Sequence, residues 1–477
     1  MTVMESFDIE NPPNFYKRGS GLSNNNTNIS EEATGSNDNI IFQEDTLEIG
    51  RKKSHPYKEY CGIRSDSDLC CILNLTVSAI GGGCFSFSYL IYEGGIIVNF
   101  IIFIFVTACV YYSIDLLRSF VVDTKYFSFA LMTETILGPT WLKIYAFSSF
   151  VIYVSMVINY LTSINVYIDG MHDFEGWLYY IIYYTIAIII EIIICLYISK
   201  MNNMMHFLSI VSFVSFFLVV LILIIMSSVG NIKGKVGIKF NSENLFFPKI
   251  SQKDFGYIIL KIASYITEYV FAYSYHSTFP TVLGNLNKVN NKNTKHIHIV
   301  SFSIVVIAYF LIALFGFMVS DDIPSQLFKE KDKNLEVGGI LRKPFKIIMV
   351  VYLLTLVPIR FIAIRDNYIT LFGKRQLQLL SELTIIIIFI IFCNLCIYGV
   401  IVVEKEIDFD IRSLIQAFGG LFGVIISFCL PVINYISVNG RKKMKSILGY
   451  IITGFFIIVG ILSLLYTIRT IIVGKEG

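Results

Sequence analysis

Between residues 69 and 470 the chain carries eleven successive, mostly apolar stretches, each about as long as the roughly 20 helical residues that cross a bilayer. Inside hydrocarbon every backbone N–H and C=O must find its partner within the protein, which leaves helices as the economical solution for such runs. The chain is therefore expected to be an all-α polytopic membrane protein. The expected spans are 69–92, 95–117, 141–162, 177–199, 205–228, 256–280, 297–320, 345–365, 380–403, 411–437 and 446–470. Composition points the same way: 15% of residues are charged, against about 25% in an ordinary soluble domain. A length of 477 residues would accommodate several soluble domains, but 55% hydrophobic content argues for one membrane domain. A net charge of +3 implies no nucleic-acid surface.

Residues 1–65 are polar, rich in Asn, Ser, Asp and Glu, and contain neither an apolar core nor a signal-peptide segment. They are expected to form a disordered tail, followed by a membrane domain over 66–477. The nine cysteines are scattered. Cys393 and Cys396 have CxxC spacing, but no second pair or histidine accompanies them, so they read as small hydrophobes rather than zinc ligands. The abundance of Asn, Lys, Ile, Phe and Tyr, with runs such as NNNTN at Asn24–Asn28, resembles proteins from very AT-rich genomes, malaria parasites among them. That bias weakens the reading of any lone Asn or Tyr.

Lysine and arginine near the span ends set the orientation. With the N-terminus in the cytosol, 18 of them fall in cytosolic segments and 12 outside, ten of the latter in two long loops that count less. The loop from Ser163 to Gly176 has no basic residue, and EKEIDFD after span nine is mostly acidic. A cytosolic N-terminus and, with an odd span count, an extracytosolic C-terminus are expected.

Two spans carry interruptions. In span one, NLTVSAIGGGCFSF places Gly81, Gly82 and Gly83 mid-helix, where each glycine costs roughly 1 kcal/mol against alanine. In span six, SYHSTFP runs from Ser274 to Pro280. The breaks are five spans apart, as in transporters built from two five-span inverted repeats with discontinuous helices at matching positions. This predicts a first repeat over about 69–228, a second over about 256–437 and an extra span over about 446–470. Unwound carbonyls at Ser78, Ala79 and Ile80 and around Tyr273, Ser274 and Tyr275 could take a cation or an ammonium group. N–H groups at Gly82, Gly83 and Cys84 could take a carboxylate. Phe271 and Tyr275 would line a side-chain pocket. The competing reading is that the glycines permit close helix packing.

The polar residues near the breaks suggest coupling or gating roles, each with a plainer alternative. His276 could exchange a proton near neutral pH, or hold the broken segment as a neutral hydrogen-bonding group. Glu268 lies two helical turns earlier; an intramembrane acid is a functional candidate by default, although it could sit wet at the outer end of the span. Glu191 is ambiguous in the same way. In TLVPIRFIAIRDN of span eight, Thr355 could join Ala79 around Na⁺, and Pro358 frees a backbone carbonyl. Arg360 is costly at mid-depth, and Arg365 is either a gating residue or a positive-inside anchor.

These motifs, in this order, resemble the amino acid/auxin permease family. The correspondence runs through Asn74, Gly81 and Gly83 in span one, and Phe271, Ala272, His276, Pro280 and Leu286 in and after span six. It continues with Gly316 in span seven, Val357, Pro358, Ile364 and Arg365 in span eight, and the glycine-rich FGGLFGVIISFCLPVINY of span ten. Ser277, Thr278 and Phe279 separate the histidine from its proline more widely than the family pattern, and Arg360 lies outside that pattern. The resemblance implies eleven spans, the leucine-transporter-like inverted-repeat fold with spans one and six discontinuous, and secondary transport of amino acids. Asn74 enters the candidate coupling or gating set through this match. No cofactor is implied. H⁺ is the expected coupling ion, with Na⁺ open, and the expected partners are an amino acid substrate and membrane lipid, in a plasma membrane or a vacuolar or lysosome-like membrane. The alternatives are an amino-acid-sensing transceptor, a carrier of another small amine or peptide, and a channel. No HExxH, paired CxxC or phosphate-binding glycine loop supports an enzyme.

Overall fold

The computed structural model describes residues 59–60, 63–64, 67–169, 189, 193, 204–232, 255–286, 289–319, 339–372, 382–407, 411–439 and 444–473. A small antiparallel hairpin, β1 (Glu59–Tyr60) and β2 (Ile63–Arg64), precedes the first helix, with Tyr60 opposite Ile63. The other residues of the expected tail, and most of span four with Glu191, lie outside the described residues; Ile189 and Ile193 of that span are helical and exposed.

The helices are α1 (Asp68–Ala79), α2 (Phe87–Gly94), α3 (Ile96–Thr124), α4 (Phe129–Leu137) and α5 (Pro139–Asp169). There follow α6 (Met204–Ile232), α7 (Phe255–Ala272), α8 (Phe279–Gly284), α9 (Asn291–Val319) and α10 (Gly339–Phe372). The last are α11 (Glu382–Ile407), α12 (Ile411–Val424), α13 (Leu430–Asn439) and α14 (Met444–Val473). Among the described residues eight helical segments are long and apolar enough to cross a membrane, and the bent pair α1 and α2 makes a ninth. In α11 the apolar portion is shorter, Thr384–Cys396. The chain is thus an all-α polytopic membrane protein. Glycines at positive φ make two tight connections, Gly95 (φ 83°) between α2 and α3 and Gly138 (φ 93°) between α4 and α5, a geometry that favours glycine because it has no Cβ.

Packing places the interrupted elements inside. α10 runs along α5 and α6, α9 packs on α1, α2 and α6, and α7 lies between α3, α12 and α14. Large apolar side chains point outward instead: Ile101, Ile104 and Phe105 on α3, Leu221 and Ile225 on α6, and Ile451, Ile458 and Leu465 on α14. Only 33% of the α14 span is buried, against 67% for Ala417–Val438, so α14 is peripheral.

Span ten shows how a glycine-rich, proline-containing helix is accommodated. A Cβ on Gly419 would stand 2.6 Å from the Phe271 ring, and one on Gly420 would stand 2.9 Å from Thr267 Cβ. The bare backbone of α12 thus lets α7 approach, the small-residue packing common in membranes. Pro431 cannot donate to the carbonyl four residues earlier. The helix widens there into a π-turn over Ile425–Cys429, and the carbonyl of Ser427 accepts from the Ser113 hydroxyl of α3. The Thr453 hydroxyl donates to Phe428 O at 3.3 Å.

Candidate functional site

The first break begins where α1 ends. Ser67 caps its start, accepting from Cys70 N–H at 3.2 Å, and the helix runs to Ala79. Ile80 (φ −77°, ψ 101°) and Gly81 (φ −102°, ψ 170°) are extended. A 3₁₀ turn over Gly82–Ser86 leads into α2, and the two halves meet at a bend of 52°. Positive φ is absent at Gly81 and Gly83, so left-handed backbone does not explain these two glycines. Space explains Gly81, where a Cβ would stand 3.0 Å from the Tyr160 hydroxyl. At Gly83 it would meet Phe271 and Ala272 side chains at 3.7 Å, an ordinary contact.

The second break follows α7. Tyr273 to Thr278 turn without helix, and α8 restarts with Pro280 in its first turn, a position where the missing N–H costs nothing. This stretch satisfies itself locally. Tyr273 O accepts from Tyr275 N–H at 2.8 Å, and Tyr275 O accepts from the N–H groups of Thr278 and Phe279 and from the Thr278 hydroxyl. Ser274 Oγ donates to Val270 O at 3.0 Å. His276 is fully buried, and neither ring nitrogen has a hydrogen-bond partner among the described residues.

The freed carbonyls of the first break are served differently, by long side chains from remote helices. Arg360 Nη2 donates to Ser78 O at 3.0 Å. The Tyr309 hydroxyl lies 2.6 Å from Ala79 O, and the Tyr352 hydroxyl donates to Ile80 O at 2.8 Å. Tyr309 also reaches Ala272 O, at the end of α7, at 2.8 Å. The two breaks therefore meet at one phenol. Arg360 is 2% exposed, with the Tyr153 ring 5.6 Å away. An arginine at the centre of a spanning helix costs on the order of 3 kcal/mol on insertion scales. Part of that is offset at Ser78 by the negative end of α1.

Of the residues singled out from sequence, Ser78, Ala79, Ile80, Gly81, Gly83, Cys84, Phe271, Tyr273, Ser274 and Tyr275 lie at or beside these breaks. Gly82 opens the 3₁₀ turn. The Cys84 N–H and thiol both point to Gly81 O, at 3.4 and 3.1 Å. Tyr273 OH pairs with Thr107 at 3.0 Å. Glu268 joins the first break through Ser86, whose Oγ is 2.7 Å from Gly83 O and 3.4 Å from Glu268 Oε2. Asn74 bonds within its own helix, to Cys70 Sγ at 3.5 Å. Thr355 pairs with Ser212 of α6 at 2.5 Å and donates to Tyr352 O. Arg365, half-buried, pairs with its exposed neighbour Asp366 at 2.7 Å. Sequence reasoning missed Tyr309, Tyr352, Tyr153 and Tyr160, and recognised Arg360 only as an expense.

Ion pairs close both ends of the bundle. At one end Glu93 meets Lys261 (3.2 Å) and the Tyr89 hydroxyl (2.6 Å). At the other, Asp115 meets Arg118 (2.8 Å) and Lys445 (3.6 Å), and Arg118 reaches Asn291 (2.5 Å).

Interrupted helices at the centre of a polytopic bundle, with polar clusters at its ends, define a membrane transporter. The chain belongs to the transmembrane amino acid transporter protein family, whose model matches residues 65–473. No curated protein sequence matches it significantly. Its fold is similar to that of the Eremococcus coleocola manganese transporter (TM-score 0.57, 11% identity, covering 87% of this chain and 89% of that chain). It is also similar to MhsT in complex with L-phenylalanine (TM-score 0.50, 16% identity, covering 84% of this chain and 98% of that chain). These similarities are ones of fold alone. Membership of a transporter family places the chain among carriers rather than enzymes.

Proposed function

We propose that this chain is a secondary active transporter of amino acids that works by alternating access around the two breaks, with H⁺ as coupling ion. In this reading it has eleven spans in two inverted five-span repeats plus one. Both α1–α2 and α7–α8 are discontinuous spans, residues 1–65 form a cytosolic tail, and the C-terminus is extracytosolic. The membrane is a plasma membrane or a vacuolar, lysosome-like one. The substrate ammonium meets carbonyls of Ser78, Ala79, Ile80 and the Tyr273–Tyr275 turn. Phe271 and Tyr275 line its side chain, while Gly82, Gly83 and Cys84 face its carboxylate. His276 and Glu268 are the candidates for the proton, and Asn74 and Arg365 for gating. In the Na⁺ alternative the ion would sit between Ala79 and Thr355.

The observation that carries the reading is the single hydroxyl, Tyr309's, at carbonyls of both breaks. A group reaching that point touches both interrupted spans, as alternating access requires. The test is uptake of labelled amino acids by proteoliposomes, with pH and Na⁺ gradients imposed separately. Accumulation driven by an inward proton gradient is expected. Uptake that follows only Na⁺ would replace the ion, and absence of uptake under either gradient would overturn the function. Protease protection of terminal tags in sealed vesicles checks the topology: both tags on one side would exclude an odd number of spans.

A further inference from the structure

We infer that Arg360 is the anion-binding residue of this site, so that the solute is selected by its carboxylate and amines lacking one are rejected. The inference rests on the proposed site, but it moves the carboxylate from the N–H groups after the glycines to a side chain before them. The guanidinium is buried; among the described residues it donates from Nη2 to Ser78 O at 3.0 Å and has the Tyr160 hydroxyl as a neutral neighbour. Its Nε is buried without a partner. Among the described residues no carboxylate pairs with it; the described ion pairs lie at the bundle ends or at Arg365. The groups around it are phenols, those of Tyr153, Tyr160 and Tyr352. A buried cation with spare donors in a fork is suited to a planar carboxylate, which it can bind through two parallel hydrogen bonds. A solute carrying an ammonium but no carboxylate would add positive charge beside the guanidinium with no negative charge to offset it, where like charges repel most strongly.

A plainer role exists. An arginine at the C-terminal end of α1 could simply cap the broken helix. The two roles separate by ligand preference. In the test, the purified protein in detergent is challenged with three series built on the same side chains, those of leucine and phenylalanine. These are the amino acids, the matching carboxylic acids without an amine, and the matching amines and carboxamides without a carboxylate. Binding is read by thermal shift and by isothermal titration.

For the wild type, carboxylate-bearing ligands should bind roughly tenfold to a hundredfold more tightly than their carboxamides, the worth of a charge-assisted hydrogen bond. Arg360→Gln should bring that ratio close to one. Should Arg360→Gln fail to fold, Arg360→Lys keeps a cation near Ser78 but loses the fork, and the ratio should fall several-fold. Carboxylic acids binding where amino acids do not would overturn the amino-acid function and leave the role of Arg360 standing. The inference is overturned if amines bind as tightly as acids, if nothing carrying a carboxylate binds, or if the foldable variant keeps the wild-type ratio.

Discussion

The two interrupted stretches solve the same problem in opposite ways. After α7 the chain turns through its own hydrogen bonds, with Tyr275 O taking three donors from the next few residues. After α1 the chain simply extends, and Ser78, Ala79 and Ile80 depend on Arg360, Tyr309 and Tyr352 from α9 and α10. Apart from Ala272 O, which Tyr309 serves, the second break is locally determined and should survive small changes. The first exists only while three other side chains stay in place, so any shift of α9 or α10 is felt there directly. Elements that move in function tend to be those of low local stability, which makes the first break the more responsive of the two.

The sharpest way to break this contrast is Tyr309→Phe. It removes the donor shared by both stretches and leaves buried carbonyls unserved, at a cost of about 1–3 kcal/mol. Initial uptake should fall by about tenfold or more, with a lower melting temperature of the purified protein. A variant that transports and melts like the wild type would show that the phenol does not join the breaks.

His276 tests the second stretch. His276→Ala should reduce initial uptake several-fold at unchanged protein level in the membrane. If His276→Gln keeps both the rate and its pH dependence, the ring serves shape and the proton lies elsewhere, with Glu268 the next residue to replace.

A finer comparison lies within the first stretch. Gly81→Ala crowds the Tyr160 hydroxyl and should destabilise by about 1–2 kcal/mol, a loss that Tyr160→Phe partly restores. Gly83→Ala meets only ordinary contacts and should stay within about 0.5 kcal/mol. Chemical denaturation of the purified variants measures both, and the reverse order would discard the steric account of Gly81. The smallest effect is expected from Thr278→Val, because Tyr275 O keeps its two backbone donors. A loss of uptake beyond about twofold there would mean that the second stretch is not self-sufficient.

Much of the helical layout was legible because apolar runs report span length directly. α3 begins at Ile96 and α14 at Met444, each within two residues of expectation. The interruption at the glycines was legible because helix propensity is local. The short helix α4, between spans two and three, was not, since nothing in a polar-flanked nine-residue segment separates it from a loop. Nor could the partners of the first break be read. Tyr309 and Tyr352 are two among 29 tyrosines, and a hydropathy pattern says nothing about which side chain reaches a backbone more than 200 residues away. Arg360 announced itself by its cost, but the carbonyl that receives it is a fact of packing. At Gly81 the helix is broken by extended backbone (φ −102°, ψ 170°), which needs no positive φ.

Tyr309 has a further consequence. Its oxygen lies 2.6 Å from Ala79 O and 2.8 Å from Ala272 O, but a phenol carries a single proton. Two acceptors thus compete for one donor, and at each instant one of them is short. Rotation of a hydroxyl about its C–O bond needs no backbone movement and belongs to the fast side-chain motions, far quicker than the microsecond-to-millisecond displacement of helices. The choice between the two carbonyls is therefore re-made many times within one helix displacement. An arriving N–H that serves either carbonyl ends the competition and releases the phenol to the other.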